Sequence, residues 1–587
     1  MKTLLTTLNS KYIHSNLAIR YLQRFVEDIE DVDIIEFTIN QSTDFIASEI
    51  YKLEKEIIGF SVYIWNIRET LRVCEILKIV KPEIKIFLGG PEVSYDMKEV
   101  MEKYDYIDFL IYGEGEETFR EFVEINQNEV KDYKGIEGLV YRDGREIVIN
   151  SPRPLINDLD KIPSPYEKTT DEFKNKIVYY ESSRGCPFGC KFCLSSTIRG
   201  VRYFDIERVK RDLKNLIEMK VKQVKFVDRT FNANKKYSRE IMEFLIKEDP
   251  KEINFHFEVT AHLIDDETLN FLKTVKEGLF QFEIGVQSTN KKTIEAIGRT
   301  TDFEVLGRVT KKINSFNNIH QHLDLIAGLP YEDYGSFKRS FNDVYDLKPE
   351  KLQLGFLKLL KGSELRLSEK LYGYKYIDEP TYEVLENDFI SYSDILKLKA
   401  IEDLVEKYYN EGNFKNTLEF LISNYYSSPF EFYEMFSKFW TENNYHILSH
   451  SKNKLYKILF NFINENRFKD NTIVYNLLKY DYIFNNKNTK LPFKFEDEKN
   501  NYDFNIHEVL KDDILLNTFL ERYKDIPTKK VINQVNIVTF SIDVLKIISN
   551  DFKLIENLKE VHILFDYKDG SIVQCKTYDI TNIVRRN

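Results

Sequence analysis

The sequence predicts an α/β protein in three parts. A doubly wound Rossmann-like sheet comes first, a partial (β/α)6 TIM-like barrel second, and a mostly helical α+β domain last. Three observations carry this. Apolar strand-like runs alternate with helical stretches over residues 1–125, and six further strand–helix units follow over 173–370. Beyond residue 371, apolar residues rich in Phe and Tyr recur at helical spacing.

A length of 587 residues is too great for one core and suits several domains. Apolar residues at 42% and aromatics at 14% are enough to bury them, which excludes a disordered chain. The net charge is -11 and there is no Lys/Arg block, so no nucleic-acid footprint is expected. No apolar run approaches about 18 residues, so no membrane span is expected. The amino-terminal apolar run is too short for an export signal, and the cysteines have the look of free thiols; a reducing cytoplasm is the expected location.

In the first part, Lys2 to Leu8 reads as a buried parallel strand, and Asn16 to Asp28 as a helix through Leu17, Ile19, Leu22 and Phe25. Strands follow at Val32 to Phe37 and Glu56 to Tyr63. After a helix at Arg68 to Ile79 come strands at Ile84 to Leu88 and Phe109 to Tyr112. Ligands of such sheets sit beyond the carboxyl ends of the strands. That rim holds Asn9 to His14, Ser61, Gly89-Gly90 and Gly113-Glu114-Gly115. Cys74 falls in a helical stretch and reads as a small core residue.

Residues 126–172 read as a connector. Gly138 to Ile149 is a hairpin with Asp143-Gly144 at its turn, and Pro152, Pro154, Pro163 and Pro165 mark an extended linker.

In the barrel, Ile177 to Ser182 is a strand that delivers Cys186, Cys190 and Cys193 on a loop tightened by Gly185, Pro187 and Gly189. Further strands are expected at Gln223 to Asp228, Asn254 to Thr260, Phe280 to Gln287, His320 to Ile326 and Lys351 to Leu357. Strand parity groups Glu283, Gly285 and Gln287 on one face, His256, Glu258 and Thr260 on another, and His322, Asp324 and Ile326 on a third. These polar faces must point into the barrel, where a polar ligand satisfies them. The sequence singles out no catalytic group; Asp228, which ends its strand and is placed to face substrate, and Glu283 are candidates beside His256 and His262, and each of the four reads equally as a satisfied interior polar residue.

In the last part, Tyr382 to Tyr409 and Thr417 to Asn464 read as helices, with Trp440 in their core. Lys487 to Asn505 reads as a linker. Gln534 to Phe540, Val561 to Tyr567 and Ser571 to Tyr578 read as strands, with Asp569-Gly570 at a turn and Cys575 structural.

The Cys-x3-Cys-x2-Cys spacing decides the chemistry. A closed zinc site takes four ligands, and the loop offers three, with the nearest histidines far along at His256 and His262. A four-iron cluster held by three thiolates keeps one iron open. This loop, with Phe192 before its last cysteine, resembles the radical SAM superfamily. The rim loops ending in Gly89-Gly90-Pro91-Glu92 and Gly113-Glu114-Gly115-Glu116 resemble the cobalamin-binding domain that precedes many such barrels. Gly285-Val286-Gln287-Ser288 and Asp324 to Pro330 resemble the superfamily's coproporphyrinogen-oxidase-like branch. The whole chain resembles cobalamin-type radical SAM proteins with an uncharacterised carboxyl-terminal domain.

The resemblance implies a 4Fe-4S cluster on Cys186, Cys190 and Cys193, S-adenosylmethionine on its open iron, and cobalamin on the first domain. It implies that Glu258 meets the methionyl part of S-adenosylmethionine, that Gln287 and Asp324 hold the ribose side, and that Phe192 lies near the adenine. His14, Ser61, Gly89, Gly90, Gly113 and Gly115 would face cobalamin. The family's Asp-x-His-x-x-Gly motif is replaced here by Lys11-Tyr12-Ile13-His14-Ser15-Asn16, which leaves His14 equally readable as the start or cap of a helix. Reductive cleavage of S-adenosylmethionine would give a 5'-deoxyadenosyl radical, with methyl transfer through methylcobalamin or a rearrangement to follow. The implied partners are a small-molecule or natural-product substrate and an electron donor such as flavodoxin or ferredoxin. A cobalamin-free radical SAM oxidoreductase and a non-catalytic iron–sulfur or ligand-sensing protein remain as alternatives.

Overall fold

Seven strands form the first sheet of the computed structural model. It describes residues 2–129, 131–167, 169–487, 490–494, 505–555, 558–567 and 575–586. The strands are β1 (Thr3–Asn9), β2 (Asp33–Thr38), β3 (Ile57–Ser61), β4 (Lys85–Gly89), β5 (Phe109–Ile111), β6 (Leu139–Asp143) and β7 (Glu146–Ile149), in the order β2-β1-β3-β4-β5-β6-β7. The first five are parallel. Helices α1 (Leu17–Phe25), α2 (Thr43–Lys52), α3 (Ile67–Val80), α4 (Met97–Lys103) and α5 (Glu116–Gln127) lie between them. Alternate strand residues feed two cores: Leu4, Leu8, Ile58, Phe60, Ile86 and Leu88 on one face, Leu5, Ile57, Phe87 and Ile111 on the other. Both faces are covered, as a parallel sheet requires. Cys74 is fully buried in the first of these cores.

The hairpin placed by the sequence in the connector extends this sheet instead. β6 pairs antiparallel with β5, and β7 with β6.

The barrel is an open six-stranded sheet in the order β15-β14-β13-β12-β11-β8. Its strands are β8 (Ile177–Tyr180), β11 (Gln223–Phe226), β12 (Asn254–Glu258), β13 (Phe280–Gln287), β14 (His320–Ala327) and β15 (Lys351–Phe356). A separate ribbon of β9 (Ser183–Cys186) and β10 (Gly200–Tyr203) interrupts them. The outer helices are α6 (Ile206–Glu218), α7 (Lys235–Glu248), α8 (Asp266–Leu272), α9 (Lys291–Ala296), α10 (Phe303–Asn314) and α11 (Tyr334–Tyr345). Most start at a side-chain cap; Asp205 accepts from the backbone N–H groups of Glu207 and Arg208 ahead of α6.

The chain divides into two units, Met1–Pro349 with Leu354–Ile395, and Glu350–Gln353 with Leu396–Asn587. The second is mostly helical, with helices Lys415–Tyr425, Pro429–Glu442, Lys452–Asn466 and Asn471–Asn485. Trp440 is 1% exposed among Tyr408, Phe436 and Tyr445. An antiparallel sheet of Val535–Phe540, Val561–Tyr567 and Cys575–Asp579 follows. The expected turn at Asp569-Gly570, the start of the strand from Ser571 and most of the linker from Lys487 to Asn505 lie outside the described residues. Among those described, no helix is long and apolar enough to cross a membrane.

Candidate functional site

The cysteine loop begins where the β9–β10 ribbon leaves β8. Gly185 in β9 has φ +99°, and a Cβ there would stand 2.1 Å from the Gly200 carbonyl oxygen, so the ribbon closes only around glycine. Beneath it lies Asp228, 1% exposed. Its Oδ1 accepts from the Ser182 and Ser183 hydroxyls, both at 2.6 Å, and its Oδ2 from the Ser182 backbone N–H at 3.0 Å. This corrects the expectation that Asp228 faces substrate. Its lone pairs serve the strand that delivers the cysteines, and burial pushes its pKa up against those donors.

The far side of the loop is pinned to the turn after α9. Lys191 N donates to Ile297 O at 2.9 Å, and Leu365 N to Lys191 O at 3.0 Å. Gly298 has φ +71°, and a Cβ there would meet Gly189 O at 2.9 Å. The next residue, Arg299, donates through Nη2 to Gly285 O at 2.9 Å and holds Nη1 3.9 Å from Cys190 Sγ. Cys186 Sγ lies 3.6 Å from the Thr230 hydroxyl. All three cysteines are free and partly exposed. Burial pushes the Cys190 thiol up, with the Arg299 cation acting against it.

Among the described residues, no three His, Cys, Asp or Glu side chains are gathered as closely as ligands of one metal ion. Three thiols on one pinned loop fit a polynuclear cluster, where each binds its own iron.

The barrel interior is laid out in rows set by register. Tyr179, Lys225, His256, Gln281 and His320 are neighbours across five strands. Glu258, Glu283 and His322 form the next row, and Gly285 and Asp324 the one above. Glu283 Oε2 lies 2.8 Å from His256 Nε2 and 3.3 Å from Lys225 Nζ. The imidazole, then the ammonium, pull the Glu283 carboxyl down to about 2. It is therefore ionised at neutral pH and stands as a counter-ion to Lys225, which fits the reading of Glu283 as a satisfied interior polar group.

Glu258 and Asp324 differ from it. Burial pushes Glu258 up to about 7. Burial, then the Glu283 and Glu258 carboxylates, push Asp324 up to about 8. Asp324 Oδ1 is buried without a hydrogen-bond partner, and so is Gln287 Oε1.

Simple alternation does not place Gln287. The β13–β14 register shifts between Gly285 and Gln287, and Gln287 takes φ +69°. A bulge of this kind re-aims a side chain. Its Nε2 passes 2.3 Å from where a Gly285 Cβ would be. Two buried acceptors left open above the interior rows fit a polar ligand with its own donors. Phe192 packs against the cluster of Ile297, Leu329, Leu357 and Leu365.

The rim of the first sheet faces the same region. Asn66 is fully buried and donates to Leu8 O, Ser61 O and the Thr7 hydroxyl, tying the ends of β1 and β3. The Ser61 hydroxyl contacts Tyr63 OH at 3.2 Å. Gly90 has φ +123°, and a Cβ there would meet Val62 O at 2.4 Å, whereas one on Gly113 would meet nothing. Gly89 ends β4, and Gly115 is the residue just before α5. His14 does not cap α1; Asn16 does. His14 Nδ1 instead lies 3.0 Å from Tyr179 OH, and its backbone bridges to Ile177.

A buried ion-pair network joins this rim to the cysteine loop, and sequence reasoning missed it. Arg184, two residues before Cys186, reaches Glu116 at 2.5 Å, Glu181 at 2.9 Å and Glu114 at 3.4 Å. Arg202, its partner across the ribbon, reaches Glu114 at 2.6 Å. The two acidic residues of Gly113-Glu114-Gly115-Glu116 thus serve the loop. Arg299 was missed too; its only sequence signal is its place after Gly298.

Comparison with known proteins covers each part. Residues 3–123 match the B12 binding domain, 180–344 the radical SAM superfamily, and 370–565 a protein family of unknown function (DUF4080). The chain is 30% identical over 325 residues to the uncharacterized methyltransferase PH0819 of Pyrococcus horikoshii, across 54% of this chain and 70% of that one. It is 27% identical over 351 residues to the cobalamin-dependent radical SAM methyltransferase TokK of Streptomyces tokunonensis, across 56% of this chain and about half, 51%, of that relative's length. Among solved structures, OxsB with aqua-cobalamin and S-adenosylmethionine bound superposes with a TM-score of 0.57 at 16% identity, covering 82% of this chain and 78% of that one. TsrM of Kitasatospora setae, with cobalamin and a [4Fe-4S] cluster bound, gives 0.54 at 14% identity over 65% and 79%.

Proposed function

Because the chain belongs to the radical SAM family whose barrel follows a B12-binding domain, we propose that it is a cobalamin-dependent radical SAM enzyme that methylates or rearranges a small molecule. The cofactors supply a strong one-electron reductant for S-adenosylmethionine and a carrier for a methyl group.

The observation that carries this reading is the pinned three-cysteine loop, which Arg299 joins to Gly285, together with two open buried acceptors on the neighbouring strands. Cys186, Cys190 and Cys193 would hold the cluster. Gln287 Oε1 and Asp324 Oδ1, both buried and unpartnered, would accept the hydroxyl donors of a ribose. Glu258, close to neutral pH in its affinity for a proton, would meet the amine of the methionyl group. Phe192, packed against the Leu329 and Leu365 cluster, would flank the adenine. The Gly89-Gly90 and Gly113 turns give backbone access for a corrin, and His14 and Ser61 stand on the same rim. Site and rim belong to one unit, so a substrate held between them meets both.

The test is anaerobic purification with cobalamin, reconstitution, and incubation with S-adenosylmethionine and a reductant. Bound corrinoid, full iron and sulfide content, and 5'-deoxyadenosine or S-adenosylhomocysteine as product are expected. Full cluster loading without corrinoid would redirect the reading to a cobalamin-free radical enzyme. A protein that holds no cluster would end it.

A further inference from the structure

Arg299 carries a charge that the proposed reaction does not use. Its guanidinium is held in place by Nη2 on Gly285 O at 2.9 Å and Nε on the Thr301 hydroxyl at 3.2 Å, while its backbone N–H is fixed on Ile294 O at 3.0 Å. The remaining Nη1 stands 3.9 Å from Cys190 Sγ. No carboxylate lies within ion-pair distance of it among the described residues. Fourteen residues of this unit show what is usual here: Arg20, Arg24, Arg184, Arg202 and Arg208 pair with nine carboxylates among them. A partly buried cation without an acid is costly unless an anion arrives. A thiolate-ligated iron–sulfur cluster is that anion.

We propose that Arg299 is the fixed counter-charge of the cluster on Cys186, Cys190 and Cys193 and raises its reduction potential. The inference rests on the reading that these cysteines hold a 4Fe-4S cluster. Reduction adds one electron to the cluster, and a cation at this distance stabilises the more negative state more than the less negative one. The tethers to Gly285 and Thr301 keep the charge there whether or not a ligand is bound. Arg299 thus acts on the cluster as an outer electrostatic residue.

The test uses the full chain, reconstituted anaerobically without S-adenosylmethionine, so that a role in holding that ligand's carboxylate does not enter. Iron and sulfide analysis comes first, then a redox titration followed by electron paramagnetic resonance, on wild type, Arg299→Gln and Arg299→Lys. Full loading is expected in all three. Arg299→Gln should lower the reduced-to-oxidised ratio at fixed poise about tenfold, a shift of about 59 mV for a one-electron couple. Arg299→Lys should keep most of the wild-type potential. A loaded Arg299→Gln with unchanged potential would overturn the inference and leave the proposed function intact. An equal fall in Arg299→Lys would overturn it too, tracing the effect to the Gly285 hydrogen bond. If Arg299→Gln fails to load, Arg299→Leu replaces it. Failure of both while Arg299→Lys loads would make Arg299 an assembly residue and overturn the tuning role. A wild-type protein without a cluster would sink both readings.

Discussion

Arg184 Nη2 and Glu116 Oε1 lie 2.5 Å apart, with side chains 12% and 6% exposed. The pair links the first residue of α5 to the strand that ends at Cys186. Removing one partner strands the other as an uncompensated buried charge, a loss of about 3–5 kcal/mol. Arg184→Met should therefore lower the melting temperature of the chain and expose residues 183–203 to proteolysis. Arg184→Lys keeps one charge but not the three-way fork, and should fall between. Thermal melting with limited proteolysis checks both.

Each of Cys186→Ala, Cys190→Ala and Cys193→Ala should abolish stable cluster binding and leave the fold intact. Cys74→Ala and Cys575→Ala should retain full iron, because Cys74 is sealed in the first core and Cys575 lies in the second unit. Iron and sulfide content per chain, beside circular dichroism, reads this directly.

Gly285→Ala would put a methyl 2.3 Å from Gln287 Nε2. The side chain must leave its site, because Gly285 is fixed in register with Asp324. Affinity for S-adenosylmethionine should fall at least tenfold, about 1.4 kcal/mol, with the melting temperature changed little. Calorimetric binding to the loaded protein measures it. By the same reasoning Gly90→Ala, with its φ of +123° and Val62 O in the way, should cost about 1–3 kcal/mol and weaken corrinoid retention.

Asp324 makes the cofactor-free protein pH-sensitive. Its folded pKa of about 8 lies above the ordinary 3.8, through burial and then neighbouring carboxylates. The folded state therefore binds a proton that the unfolded state has released, and stability is lost as pH rises from about 4 to about 8. Asp324→Asn should match wild type near pH 4 and melt at a higher temperature than wild type above pH 8. Thermal melts across that range decide it. A gap that narrows with rising pH would contradict the assignment.

Much of the site was legible because its signals are local. Three cysteines in one loop, and polar residues alternating with apolar ones in Phe280 to Ile284 and His322 to Leu325, are patterns of spacing alone. The alternation correctly placed Glu283 and Asp324 inside the barrel. It could not show that Gln287 follows a bulge, because one extra residue in a strand leaves no mark on composition. Nor could it tell Glu283 from Asp324. Both are strand carboxylates; the cations beside Glu283 make it a counter-ion, while burial, and then its acidic neighbours, make Asp324 a proton holder.

The order of strands and helices, the three-thiol loop and the glycine turns were determined by the sequence itself, since each depends on residues close together in the chain. The tertiary structure alone decided the rest. It moved the hairpin at 139–149 onto the first sheet, turned Asp228 from a substrate-facing group into an anchor, and joined Glu114 and Glu116 to Arg184 across 68 residues or more. Charge pairing and desolvation act through space, at distances of a few ångströms, and the linear sequence carries no measure of them.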